Sequence, residues 1–386
     1  MRRALATLSM LLAMLIGSVT AASAQTPIAS PVAGGWQVSD VREISVDGEP
    51  IALSPDSRWI AGTGPDGMGV CVWDVASLGA TCAATDVRPE RHSFAWAPDS
   101  SMIAFTDGSL VDPEPNSLWL VSVPDVNVTA RAGVAVSGSA ADEGQFYGAP
   151  VWTADSKRVV FFQMPAEEEN GPLSTEAWQA TFASIDAEGG DAVPLSLPPA
   201  AYSARTVPTD GGQLLFLALE PGDLDGGPAG IWRARSDGTG LELVLSADDV
   251  PDVSLVELGA LSPDQRTLVV WALAVPPDQD RAVPAPYVLD LTTGELAAVT
   301  PVDGSAVLWG DTPFSTDVSI AAVLAYRDED DTVYLQTLDV GTGETHRVLD
   351  GALRRWDEYW FVSWGAGNRV LVATDAGATL LTLERT

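Results

Sequence analysis

Apolar residues along the chain fall in short runs separated by turn residues, and one phrase keeps returning. It reads LSPDSRWIAGT (Leu53 to Thr63), AWAPDSSMIAF (Ala95 to Phe105), VWTADSKRVVFF (Val151 to Phe162) and LSPDQRTLVVW (Leu261 to Trp271). Each copy is an apolar strand end, a tight turn and a second apolar strand. Proline sets φ and aspartate caps the amides that follow, so the chain reverses at little cost. A third strand follows a variable loop, as in GVCVWDV, SLWLVSV, GIWRARS and APYVLDL. A second tight turn (SDGTG, LTTGE, GTGET) leads to a fourth strand (LELVL, LAAVT, HRVLD). Runs this short, rich in Val, Leu and Trp and bounded by Gly, Pro and Asp, predict strands rather than helices.

Aligned on the turn aspartate, the copies stand at Asp56, Asp99, Asp155, Asp210 and Asp264. A weaker copy lies at Asp317, and in a degenerate one Ala366 replaces the acid. A recurrence every 43 to 56 residues points to a propeller or another repeat array. One four-stranded sheet cannot bury both of its apolar faces, whereas sheets packed around an axis can. The expectation is an all-β, seven-bladed β-propeller of four-stranded antiparallel blades over residues 41–386. The last unit supplies only three strands, and Val41–Asp47 is expected to provide the fourth and close the ring. A six-bladed ring is the alternative.

The phrases LSPDSRWIA, AWAPDSSMIAF, VWTADSKRVVF and LSPDQRTLVV, with the endings IWRARSDGTG and YVLDLTTGEL, resemble the TolB-like Pro-Asp repeats of bacterial β-propellers. The resemblance implies this fold and an extracytoplasmic setting. It departs from TolB proper in having seven units rather than six, with no room for an N-terminal α/β domain. The Trp73-Asp74 pair occurs once, without the Gly-His partner of WD repeats.

The N-terminus supports export. Met1-Arg2-Arg3, an uncharged apolar stretch to Ala21 and Ala22-Ser23-Ala24 read as a signal peptide over 1–24, with 25–40 as a linker. An uncleaved anchor is the competing reading. No other segment is apolar enough to span a membrane, so a secreted or periplasmic protein is expected. Cys71 and Cys82 flank what reads as a strand–turn–strand, and they form either a disulfide or two buried thiols.

Net charge is −33. Such a surface repels nucleic acid and anionic lipid and attracts cationic ligands or basic partners. The loops between second and third strands vary most in length and carry many acids, including Glu167, Glu168, Glu169, Asp223, Asp225, Asp328 and Asp330. Glu220 to Asp225 and Asp328 to Asp331 also admit a calcium reading, but neither run has the spacing of a complete calcium loop. No other cofactor is expected. Residues placed just before the innermost strands should ring the channel mouth: Arg91, His92, Tyr147, Arg205, Glu257, Glu358 and Tyr359. Convergent polar groups in a concavity are the default pocket. Trp96, Trp152, Trp309 and Trp364 recur at one place in the repeat, which marks them as packing residues.

Two histidines, His92 and His346, cannot build a three-histidine metal centre. No Gly-x-Ser-x-Gly elbow and no phosphate-cradling glycine loop is present. From these absences the expectation is a non-catalytic scaffold that binds a protein or small molecule, cationic ones included, through its acidic loop face. The alternative is a propeller hydrolase or lyase acting on a carbohydrate or ester at the channel mouth. A purely structural envelope component is a third reading.

Overall fold

A computed structural model describes residues 36–385 except 84–86, 108–116, 131–144, 166–180, 190, 198–205, 220–228, 251–252, 263, 275–282, 300–305, 316–319, 328–331, 341–343, 349–360 and 375–376. β1 (Trp36–Ile44) is followed by blade 1, made of β2 (Glu49–Leu53), β3 (Trp59–Thr63), β4 (Val70–Asp74) and β5 (Ala80–Ala83). Blade 2 is β6 (Ala95–Trp96), β7 (Met102–Thr106), β8 (Leu118–Ser122) and β9 (Asn127–Ala130). Blade 3 is β10 (Gln145–Trp152), β11 (Arg158–Pro165), β12 (Thr181–Asp186) and β13 (Val193–Pro194). Blade 4 comprises β14 (Val207–Thr209), β15 (Gln213–Ala218), β16 (Gly230–Arg235) and β17 (Glu242–Ser246). Blade 5 comprises β18 (Val253–Leu261), β19 (Thr267–Ala274), β20 (Val283–Asp290) and β21 (Leu296–Ala298). Blade 6 is β22 (Ala306–Phe314), β23 (Ile320–Arg327), β24 (Thr332–Asp339) and β25 (Thr345–Arg347). β26 (Phe361–Gly365), β27 (Arg369–Thr374) and β28 (Gly377–Arg385) belong to blade 7.

The ring closes as the repeat predicts. β1 pairs antiparallel with β28, from Trp36 opposite Arg385 to Ile44 opposite Ala378, and so becomes the outer strand of blade 7. Arg42 Nη1 donates to the Val75 carbonyl at 2.6 Å, tying this strand to blade 1 as well. The closing strand begins at Trp36, so it takes in the end of the segment expected to be linker. A register shift between Val38 and Asp40 breaks the alternation that would have revealed it.

Each hydrophobic cluster crosses a boundary between blades. Leu118, Leu120, Phe161 and Ile185 join blades 2 and 3, Phe182 and Phe216 join blades 3 and 4, and Leu215, Ile231, Leu258 and Leu289 join blades 4 and 5. The first-strand tryptophans Trp96 and Trp152 are wedges between blades. Trp96 Nε1 donates to the Ala52 carbonyl of blade 1, and Trp152 Nε1 donates to the Ala95 carbonyl of blade 2.

The recurring turn has a common chemistry. In blade 1 the Ser54 hydroxyl donates to Asp56 Oδ1 and accepts from the Trp59 amide, while Asp56 Oδ1 accepts from the Arg58 amide. Thr153–Asp155 and Ser262–Asp264 repeat this arrangement in blades 3 and 5. The next residue has positive φ in each described copy of the phrase, at Ser57, Ser100, Ser156 and Gln265. Its side chain also links blades: Ser100 Oγ accepts from the Asp56 amide, and Ser156 Oγ accepts from the Asp99 amide. Where Ala366 replaces the acid, backbone atoms complete the link. Ser57 Oγ donates to the Ala366 carbonyl and the Ala366 amide donates to the Pro55 carbonyl. The phrase therefore recurs because it closes each hairpin and fastens it to its neighbour.

The Thr153 hydroxyl holds the Asp155 carboxyl below the usual aspartate range. Turn amides and hydroxyls do the same for Asp74, Asp237 and Asp290. A depressed folded pKa gives stability that is complete above the unfolded pKa, about 3.9, and is lost as pH falls through the folded value. Melting temperature should therefore fall on acidification below about pH 4, and Asp155→Asn should reduce that dependence. An identical acid profile in the variant would contradict the assignment.

Cys71 and Cys82 are paired across β4 and β5 and form a disulfide. In the chain-entropy model, closing this short loop contributes about 3 kcal/mol. The double variant Cys71→Ser, Cys82→Ser should lose about that much in urea unfolding of the full chain. An unchanged midpoint would contradict it.

Candidate functional site

The innermost strand of each blade starts at the end of the ring that carries the loops between second and third strands, the end where the channel mouth is expected. Glu49 opens β2, opposite Thr63 at the end of β3. Gly62 allows this approach, because a Cβ there would collide with the Glu49 carbonyl. A register shift between Pro50 and Ala52 turns the strand as it leaves the mouth.

Arg91 reaches the same corner from the connection to blade 2. It lies in the 3₁₀ turn Arg91–Ser93, which the buried Ser93 pins in place. The Ser93 hydroxyl donates to the Glu90 carbonyl and accepts from the Thr106 amide, and the Glu90 amide donates to the Thr106 carbonyl. Arg91 Nη2 meets Glu49 Oε1 at 2.7 Å, and the Thr63 hydroxyl donates to Glu49 Oε2 at 3.1 Å. The side chains of Arg91 and Glu49 are 28% and 29% exposed, so the pair is partly shielded yet open to solvent. Both carboxylate oxygens thus have a donor. The arrangement orients a charged carboxylate beside a guanidinium on rigid strand ends, which suits proton transfer or the recognition of polar groups.

Of the residues expected at the mouth, Arg91 is joined by Glu49 and Thr63, which the sequence reading did not single out. His92 occupies the same 3₁₀ turn. Tyr147 and Glu257 lie within strands rather than before them, because β10 begins at Gln145 and β18 at Val253. Glu257 is half-buried and follows a register shift after Leu255. Arg205, Glu358 and Tyr359 lie outside the described residues. So do the acidic loop residues Glu167, Glu168, Glu169, Asp223, Asp225, Asp328 and Asp330, and with them the calcium reading. Among the described residues, no helix is long and apolar enough to cross a membrane.

No protein-family model and no curated protein matches the chain. Solved structures do. An oligogalacturonate lyase in complex with manganese is similar at 16% identity, with a TM-score of 0.59 over 91% of this chain and 96% of that one. An oligogalacturonate lyase from Vibrio parahaemolyticus is 13% identical, with a TM-score of 0.60 over 90% and 96%. Hydrazine synthase from Kuenenia stuttgartiensis gives 13% and 0.54 over 89% and 97%. At these identities the likeness is one of fold. It nevertheless corrects the expectation of a non-catalytic scaffold, because this architecture makes up nearly the whole of chains that are lyases.

A manganese ion is named for one of these structures, and the described residues bear on whether this chain could hold one. His92 is at the inner edge of blade 2, whereas His346 is in β25, the outermost strand of blade 6. The chain's two histidines are therefore carried by non-adjacent blades. Among the described residues, no group of three or more His, Cys, Asp or Glu side chains is placed to hold a metal.

Proposed function

We propose that the chain is a propeller enzyme of the lyase or hydrolase kind, acting on a carbohydrate at the channel mouth. The observation that carries this reading is the Glu49–Arg91–Thr63 constellation on the ends of inner strands. The extent of the match to two oligogalacturonate lyases supports it. In this reading Glu49 is the acid–base group, Thr63 holds its second oxygen, and Arg91 pairs with the first and faces anionic or hydroxylated sugar. In an elimination on a uronate, Glu49 would take the proton next to the carboxylate. That electron pair would form the ring double bond as the glycosidic oxygen leaves and is protonated by water.

The protein is also read as exported, supported by the basic-then-apolar start at Met1–Ala24 and by the Cys71–Cys82 disulfide, a bond of oxidising compartments. The Pro-Asp phrases are read as TolB-like repeats, supported by the turn chemistry shared between blades 1, 3 and 5.

The test is a panel of oligogalacturonates and neutral oligosaccharides incubated with the full chain. Unsaturated ends would identify a lyase, and new reducing ends without unsaturation a hydrolase. A folded protein that converts none of them would overturn the reading.

A further inference from the structure

A second surface lies on the outer rim of the ring, where blades 3 and 4 meet. The Ser184 hydroxyl of β12 donates to the Ser236 carbonyl at 2.7 Å, and a Cβ on Gly238 would collide with the Ser196 amide. The turn between β16 and β17 therefore rests on the chain just after β13. Side-chain directions follow from the register. Val193 is opposite Ser184, so both project toward blade 4. Leu195, two residues on, projects the same way and is buried in the cluster shared by blades 3 and 4. Leu243 is opposite Trp232, whose ring packs against that cluster from blade 4. Leu241 enters β17 two residues earlier, on the same side.

Val193 is 43% exposed, Leu241 37% and Leu243 36%. The other large apolar side chains exposed to this degree among the described residues are Val41, Met68 and Val256, which lie singly on blades 7, 1 and 5. Single exposed apolar residues are ordinary, whereas several at one place with a polar border mark a contact surface. The border here is acidic. Glu188 and Asp191 precede Val193, Asp237 is in the turn before β17, and Glu242 stands between the two leucines, all four exposed. Of the cations nearby, Arg158 is held by Asp186 and Ser184, and Arg235 alternates with Trp232 and so projects from the blade 5 side of β16. Lys157 is at the inner hairpin turn of blade 3.

We infer that this patch docks another protein, through a segment whose apolar side chains are flanked by Lys or Arg. The apolar side chains cover Val193, Leu241 and Leu243, and the basic ones meet the acidic border. A second copy of this chain is a poor occupant, because two chains of net charge −33 repel each other. The inference stands apart from the proposed activity, since it concerns outer strands rather than the inner strand ends that carry Glu49, and needs no turnover.

Fluorescence anisotropy of the full chain, at physiological salt, with three labelled synthetic peptides tests it. One alternates Leu and Lys, one Leu and Glu, and one Ser and Lys. The Leu–Lys peptide is expected to bind saturably and at least about tenfold more tightly than the other two. Leu241→Ser with Leu243→Ser should weaken it about tenfold, whereas Val41→Ser on blade 7 should not. Asp191→Lys with Glu242→Lys should narrow the gap between the Leu–Lys and Leu–Glu peptides, and the same reversal at Asp40 and Glu43 of β1 should leave it. Absence of saturable binding would overturn the inference, as would equal binding of the Ser–Lys peptide or equal binding by the leucine variant. A dimer of the parent that the leucine variant abolishes, read by size-exclusion chromatography, would assign the patch to a second copy and equally overturn it. Should the leucine variant fail to fold, the charge variants decide: a narrower gap only in the Asp191, Glu242 variant supports the surface, and equal gaps in both contradict it.

Discussion

Glu49→Gln should lower turnover by about 10²–10⁴-fold, the usual contribution of a positioned acid–base group. Glutamine keeps the size of the side chain and an oxygen for the Thr63 hydroxyl, but it can neither carry a proton nor pair with Arg91. A partly exposed ion pair contributes little to stability, about 0–1 kcal/mol, so the variant should melt close to the parent. Activity and stability therefore separate at this residue. Arg91→Lys refines the test: it retains charge but loses the planar fork, and is expected to raise KM more than it lowers kcat. Full turnover by Glu49→Gln would remove the carboxylate from the mechanism.

Removal of β1 should have the largest effect on stability. Without residues 36–44, β28 loses its pairing from Ala378 to Arg385 and becomes an exposed edge. Trp36 leaves its edge-on contact with Trp364 at 6.3 Å, and Trp36 and Val38 no longer cover the cluster between blades 6 and 7. The link from Arg42 to blade 1 also goes. An open edge invites pairing with a second chain. The chain lacking 36–44 is expected to unfold at a markedly lower temperature and to self-associate, as read by calorimetry and size-exclusion chromatography. A monomer with the parent's melting temperature would show that the ring does not depend on this closure.

The architecture was largely legible because its cause is local and repeated. Pro-Asp turns fall at regular intervals, and each strand carries residues that only a neighbouring blade can cover. The borrowed outer strand and the cysteine pair followed from the same grammar. The start of β1 was harder to see, since WQVSDVREI loses its alternation at the irregularity after Val38. The site was less legible for a different reason. Glu49 sits in SVDGEP, which reads as an acidic turn, and its partner Arg91 is remote in sequence. Their meeting depends on the packing of blade 1 against the connection to blade 2, which no local pattern encodes. One signal was available: Glu49 and Thr63 bracket the first hairpin, so they had to face each other once it formed. The non-catalytic expectation came from the shortage of histidines and the lack of a nucleophile elbow or phosphate loop, and carboxylate chemistry needs none of these.

The most direct test is a crystal structure of Glu49→Gln soaked with the oligosaccharide that the parent turns over. Sugar at the channel mouth, with a reacting atom within about 2.6–3.2 Å of the residue 49 side chain and a polar group on Arg91, is the predicted result. Sugar bound elsewhere on the ring, with the mouth vacant, would contradict it.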